Sequence, residues 1–299
     1  MTADILHHVT WNGEQVPVYD MDTIDFGKVI SSEPAELRGW FFDQPVEAKN
    51  QFGLVSPHLG YEPIGSRNGV LKDTRDGYEM IKVSRDEIQK ALPHVPDVLK
   101  ESADLKALEN AIASCNIVSK AVLTGLSTAL GLTGEERFEN RHRNERPSTT
   151  TLAMMHYIPA NPSQDKHVGH QKHTDISSLT LLFAEQWGLQ IRPPGTRQFG
   201  FVPPSPAAVV PYDHTEHRYS IAYFLRAEND TMFTDSEGRW ISAGQWHDEK
   251  FMAFKAAPEI QALAPKSMLF GGMDEDEVPA VAVPAEPVQE ASNPVMAAA

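Results

Sequence analysis

A single cysteine, Cys115, stands in a chain of 299 residues. That scarcity excludes an internal disulfide and fits a reducing compartment, so a cytoplasmic location is expected. No run reaches the roughly 18 apolar residues of a membrane span. The first twenty residues lack the basic-then-apolar order of a signal peptide. Positive charge is also scarce: 26 Lys and Arg face 41 Asp and Glu, for a net charge of -15. A basic face for nucleic acid is therefore not expected, and the acidity reads as a contribution to solubility. Part of it lies in the last 26 residues, which carry six acidic side chains and no Lys or Arg. Apolar residues at 41 % and charged residues at 22 % are ordinary for a folded domain with its own core. Internal repeats are absent.

Three regions are expected. Residues 1–147 form a mainly helical N-terminal region, residues 148–273 a β-rich core with a C-terminal helix, and residues 274–299 a disordered acidic tail. In the first region, residues 15–20 (QVPVYD) read as a strand. Ser32 is placed to cap a helix through Ala35, Leu37, Trp40 and Phe41. Residues 73–85 hold a turn and a short strand. The clearest helix spans about 103–132. Its apolar stripe is Leu105, Leu108, Ile112, Cys115, Val122, Leu126 and Ala129. Thr133 and Glu136 form a capping-box pattern for a further helical turn. After Pro147 come short β-rich runs at 150–158, 177–183, 189–192, 199–202, 207–210 and 219–226, the spacing of a sandwich or barrel. A last helix is expected over 242–254.

Chemistry concentrates in Gly169–Phe183, GHQKHTDISSLTLLF. His173 and Asp175 are two residues apart at the mouth of an apolar run. On a strand they would share a face and could hold one metal ion from one rigid element. Two histidines and one carboxylate on one octahedral face suit non-haem Fe(II). A second element is Arg218-Tyr219-Ser220, opening RYSIAYFLR. Arg218 and Ser220 share a phase, and a guanidinium with a hydroxyl suits a carboxylate. Tyr157, in LAMMHYIP, could orient that carboxylate.

These residues sit in an ordered series: HYIPANPSQDKHVGHQKHTDISSLTLLF, GLQIRPP, FGFVPPSPAAVV and RYSIAYFLRAE. Over roughly residues 150–228 the series resembles the isopenicillin N synthase-like family of iron(II)/2-oxoglutarate oxygenases. FFDQPVEAKNQF, GYEPIG, DGYEMIKVSRDE and WISAGQWHDEKF extend the resemblance. It implies a mixed α and β fold: a double-stranded β-helix, or jelly roll, with flanking N-terminal and C-terminal helices. It implies Fe(II) as cofactor, with 2-oxoglutarate and O2 as co-substrates. By carry-over His173 and Asp175 bind iron, and Arg218 and Ser220 bind the distal carboxylate of 2-oxoglutarate with help from Tyr157. The expected reaction is hydroxylation, desaturation or cyclisation of a small organic molecule by a monomer. The alternative is a catalytically silent barrel acting as a binding protein. A hydrolase built on H-x-D would leave the Arg218/Ser220 pair unexplained.

The sequence departs from the family at the third iron ligand. The family has a histidine about ten residues before the clamp arginine, where this chain has Ala208. The turn and strand expected there are missing between Val210 and Pro211, and a second gap follows VPVYDMDTIDF. Strand parity then favours His214 as third ligand, since 214, 218 and 220 share a phase while His217 points away.

Overall fold

The computed structural model describes residues 5–11, 14–19, 39–67, 75–90, 100, 102–159, 170, 173–184, 186–193, 196, 198–204 and 217–255. The elements, in chain order, are β1 (Ile5–Trp11), β2 (Glu14–Tyr19), α1 (Gly39–Phe42), α2 (Val46–Asn50), β3 (Gly60–Glu62), β4 (Tyr78–Ser84), α3 (Arg85–Ile88) and α4 (Ser102–Ala129). Then follow β5 (Thr151–Tyr157), β6 (Leu179–Ala184), β7 (Gln190–Ile191), β8 (Gly200–Phe201), β9 (Arg218–Leu225), β10 (Met232–Thr234), β11 (Trp240–Ser242) and α5 (Ala243–Lys255). The expected run at 207–210, the start of the expected helix at Ser32 and the acidic tail lie outside the described residues.

Two sheets carry the fold. One has five antiparallel strands in the order β3-β4-β5-β9-β6; the other is ordered β1-β2-β8-β7. Strands from both sides of residue 147 share each sheet, because β4 pairs with β5 throughout and β2 meets β8 at Val18 and Phe201. The hairpin β10-β11 stands apart and leads directly into α5. That hairpin and β1 gave no clear sequence signal. Three-residue strands such as MFT and WIS are too short to display a period of two.

The two faces of the five-stranded sheet have different tasks. One presents Ile81, Val83, Leu152, Met154, Tyr223 and Leu225 to Leu108, Ile112, Cys115 and Leu123 of α4. Burial there pushes the Cys115 thiol up to about 12, so it stays an unreactive thiol. The opposite face presents Tyr78, Met80, Ala153, Met155, Ala222, Tyr157 and Phe224. This second face carries the candidate site.

The long helix forms where expected, but its buried stripe drifts. From Leu108 it runs through Ile112, Cys115, Ser119, Leu123 and Ser127, whereas Leu126 is 45 % exposed. Ser127 is buried for a polar reason. Its hydroxyl donates to Glu139 and accepts the Phe138 N–H, tying the helix to the 3-10 turn Phe138–Arg141. A 3-10 turn also forms at Gly134–Glu136, yet the Thr133 side chain makes no capping hydrogen bond there.

This packing predicts unequal costs along one helix. Leu123→Ala should destabilise by about 2–5 kcal/mol, and Leu126→Ala by no more than about 0.5 kcal/mol. Urea denaturation followed by circular dichroism measures both; equal losses would contradict the burial pattern.

Candidate active site

The pairing of β5 with β9 sets Tyr157 opposite Arg218 and Met155 opposite Ser220. Side chains alternate along a strand, so Arg218, Ser220, Ala222 and Phe224 emerge on the face away from α4. Arg218 is 7 % exposed and Ser220 is 3 % exposed. The Arg218 guanidinium lies 4.2 Å from the Tyr157 ring centroid. Its Nε, and the Ser220 Oγ, are buried without a hydrogen-bond partner. Among the described residues no carboxylate forms an ion pair with Arg218. Burial raises the Tyr157 hydroxyl, and the neighbouring Arg218 charge pulls it part of the way back. A buried cation beside an unsatisfied hydroxyl is costly unless an anion meets them.

Gly188 makes room for this cluster. Its backbone has φ of 129°, and a Cβ there would stand 2.8 Å from Arg218 Nε. Both the turn and the close approach require glycine.

His173 and Asp175 do meet, with Nε2 and Oδ1 3.3 Å apart. They do so from the loop before β6 rather than from the strand itself, so the same-face argument was the wrong reason for their convergence. Both remain accessible, with side chains 28 % and 37 % exposed. Desolvation works to raise the Asp175 carboxyl. Hydrogen bonds from His173 and Thr180, together with the Arg226 charge, outweigh it and hold the group below its ordinary value. Asp175 is therefore an anion at neutral pH, and an imidazole beside it makes a donor pair for a hard or borderline divalent metal.

A continuous series of tilted ring contacts connects the two clusters. From Arg218 it passes to Tyr157, then to Tyr78 at 5.2 Å, His170 at 4.5 Å and His173 at 4.3 Å. His170 lies on the loop before β6, but its ring does not face solvent. Instead its Nε2 lies 3.0 Å from the Tyr78 hydroxyl. Burial holds its imidazole well below the usual value, so the ring is neutral and shares a hydrogen bond with Tyr78. A small cavity of 80 Å³ opens beside this series, lined by His173, Asp175, Met155, Phe224, Arg226 and, from α5, His247 and Phe251. Burial pushes His247 down to about 2, so it too is neutral.

Of the candidate residues, His173, Asp175, Tyr157, Arg218 and Ser220 lie on or over one face of one sheet. His214 lies outside the described residues. His217 turns to the opposite face, where its Nδ1 meets His156 Nε2 at 2.8 Å while His156 Nδ1 meets Glu79 Oε1 at 2.8 Å. Sequence reasoning missed Tyr78, His170 and Arg226. Tyr78 shares the phase of Met80 on β4, which was the available signal; nothing in the spacing marked the other two.

Comparison with known proteins bears on this arrangement. Residues 149–213 match the 2OG-Fe(II) oxygenase superfamily. The chain is 36 % identical over 283 residues to the oxidoreductase vrtI of Penicillium aethiopicum, covering 83 % of this chain and 67 % of that protein. It is 35 % identical over 266 residues to the 2-oxoglutarate-dependent dioxygenase frbH of Dothideomycetidae sp., covering 81 % of each. Among solved structures, a full-length Neurospora crassa protein in complex with alpha-KG aligns with a TM-score of 0.58 at 18 % identity, over 83 % of this chain and 100 % of that one. The two-sheet core is thus the double-stranded β-helix expected from the sequence, flanked by helices.

The Gly188 contact yields a double-mutant prediction. Gly188→Ala should cost about 1–3 kcal/mol from backbone strain and collision with Arg218. In an Arg218→Ser background the cost should be smaller by at least about 0.5 kcal/mol, because the collision is gone. Strict additivity in thermal unfolding would show that the glycine does not serve the arginine.

Proposed function

Since this chain belongs to the 2OG-Fe(II) oxygenase superfamily, we propose that it holds Fe(II) through His173 and Asp175 and 2-oxoglutarate through Arg218 and Ser220. The observation that carries this reading is the pair of buried, unsatisfied donors on the inner face, joined by tilted ring contacts to the His–Asp pair. The residues fit the groups. Arg218 Nε and Ser220 Oγ lack only an acceptor, which a distal carboxylate provides. His173 and Asp175 offer an imidazole nitrogen and an anionic carboxylate oxygen 3.3 Å apart. His214 completes the proposed ligand set as the third donor.

Iron with 2-oxoglutarate and O2 supplies the oxidising power, with succinate and CO2 as co-products. The chain supplies orientation and shelter. Arg218 and Ser220 fix one end of the keto acid, and Tyr157 braces the guanidinium from its ring face. His170 packs against the His173 ring and is itself braced by Tyr78. Phe251 and His247 of α5 cover the cavity and limit water around the reacting atoms. The substrate is a small organic molecule, oxidised by hydroxylation, desaturation or ring closure. The excess of acidic side chains supports the absence of nucleic-acid partners, and the single buried cysteine supports a cytosolic location; a monomer is part of the same proposal. Among the described residues no helix is long and apolar enough to cross a membrane.

Two substitutions separate the roles. His173→Ala or Asp175→Ala should abolish iron retention after anaerobic desalting, measured by chelator colorimetry. Arg218→Ala should retain iron and raise the 2-oxoglutarate KM by about ten- to hundredfold, the loss of one charge-assisted interaction. Equal iron content in wild type and the His173 variant would contradict the assignment.

A further inference from the structure

We propose that the molecule oxidised at this site carries a carboxylate, and that Arg226 recognises it. This rests on the reading of the site given above and narrows its substrate class. Arg226 directly follows β9, at the end of that strand opposite Arg218. It lines the cavity together with Asp175 and keeps part of its surface accessible.

Its anchoring is unusual for a cation in this protein. Nε donates to the Ile176 carbonyl at 2.6 Å, Nη1 donates to the Thr149 carbonyl, and the guanidinium lies 5.3 Å from the Phe224 ring centroid. These contacts fix the fork in place without neutralising its charge. Among the described residues Nη2 has no hydrogen-bond acceptor, and no carboxylate forms an ion pair with this arginine. The other cations at the cavity differ. Arg67 makes two hydrogen bonds to Glu62, and Lys82 bonds the same carboxylate at 2.6 Å. Just past the same end of β9, Arg143 is held by Glu228 in the same bidentate way.

Among the described residues Asp175 is the one acid whose charge acts on Arg226, and burial still pushes the guanidinium down to about 9, so it remains cationic at neutral pH. In the proposed site Asp175 gives its charge to the metal. Arg226 is then a pre-oriented cation with no counter-charge among the described residues, next to the reacting centre. A single keto acid cannot serve both arginines, which stand at opposite ends of β9. The anion Arg226 awaits is therefore a second molecule. Met80, Met155, Ile176, Phe224 and Phe251 line the cavity alongside Thr151, Thr174 and neutral imidazoles, which suits a largely apolar body with one acidic end.

The test uses the full chain and three matched pairs: octanoate, phenylacetate and cinnamate, each against its primary amide. Binding is read by thermal shift on the metal-free protein and, anaerobically, on protein loaded with Fe(II) and 2-oxoglutarate. Succinate release is the third readout. At least one acid should bind the loaded wild type tenfold or more tightly than its amide. Arg226→Gln should reduce that preference to twofold or less, while Arg226→Lys keeps part of it. Iron content and 2-oxoglutarate affinity should stay within twofold in both variants. No acid-over-amide preference in wild type, a preference that survives in Arg226→Gln, or a parallel loss of 2-oxoglutarate affinity would each overturn the proposal. Failure of wild type to retain iron or 2-oxoglutarate would instead strike the parent reading. The metal-free titration would still decide whether Arg226 selects an anion.

Discussion

The antiparallel pairing of β5 with β9 is the constraint on which the rest depends. It places Tyr157 opposite Arg218 and Met155 opposite Ser220. A slip of one residue would turn both clamp groups toward α4 and bring Tyr219 and Ile221 into the barrel. The α4 face prevents that slip, because Tyr223 and Leu225 are fully packed against Leu152 and the helix. The hydrophobic core on one side of the sheet therefore fixes the chemistry on the other.

Electrostatics divides the protein in the same way. The chain is strongly acidic, yet its inner face collects Arg67, Lys82, Arg218 and Arg226. Glu62 serves the first two. Arg218 is held by a ring, and Arg226 by a ring and two backbone carbonyls, an arrangement that positions each charge while leaving it available. Neutral imidazoles from His170 and His247 share the space, kept uncharged by burial beside these cations. Anionic small molecules are the natural complement of such an interior.

Much of the scaffold was legible in the residues. α4 has strong periodicity, β5, β9 and α5 have clear boundaries, and all four appear within a few residues of the expected limits. The Arg218/Ser220 phase held because a regular strand enforces it. The jelly roll itself came from resemblance rather than from pattern. The H-x-D pair was found by residue type, but strand alternation gave the wrong account of it: the chain is looped there, and contact depends on ring packing from β4. Arg226 read as the tail of a strand, since nothing local distinguishes a cavity-lining arginine from a surface one. The α4 stripe misled where Ser127 and Ser119 displaced apolar neighbours from the buried face, a substitution driven at Ser127 by hydrogen bonding to the next turn.

The most direct measurement is a crystal structure of the full chain grown anaerobically with Mn(II), a redox-silent stand-in for Fe(II), and 2-oxoglutarate. The account predicts the metal within bonding distance of His173 and Asp175, and the distal carboxylate of the keto acid on Arg218 and Ser220. Metal bound elsewhere, or a keto acid whose carboxylate leaves Arg218 Nε and Ser220 Oγ unpaired, would contradict it.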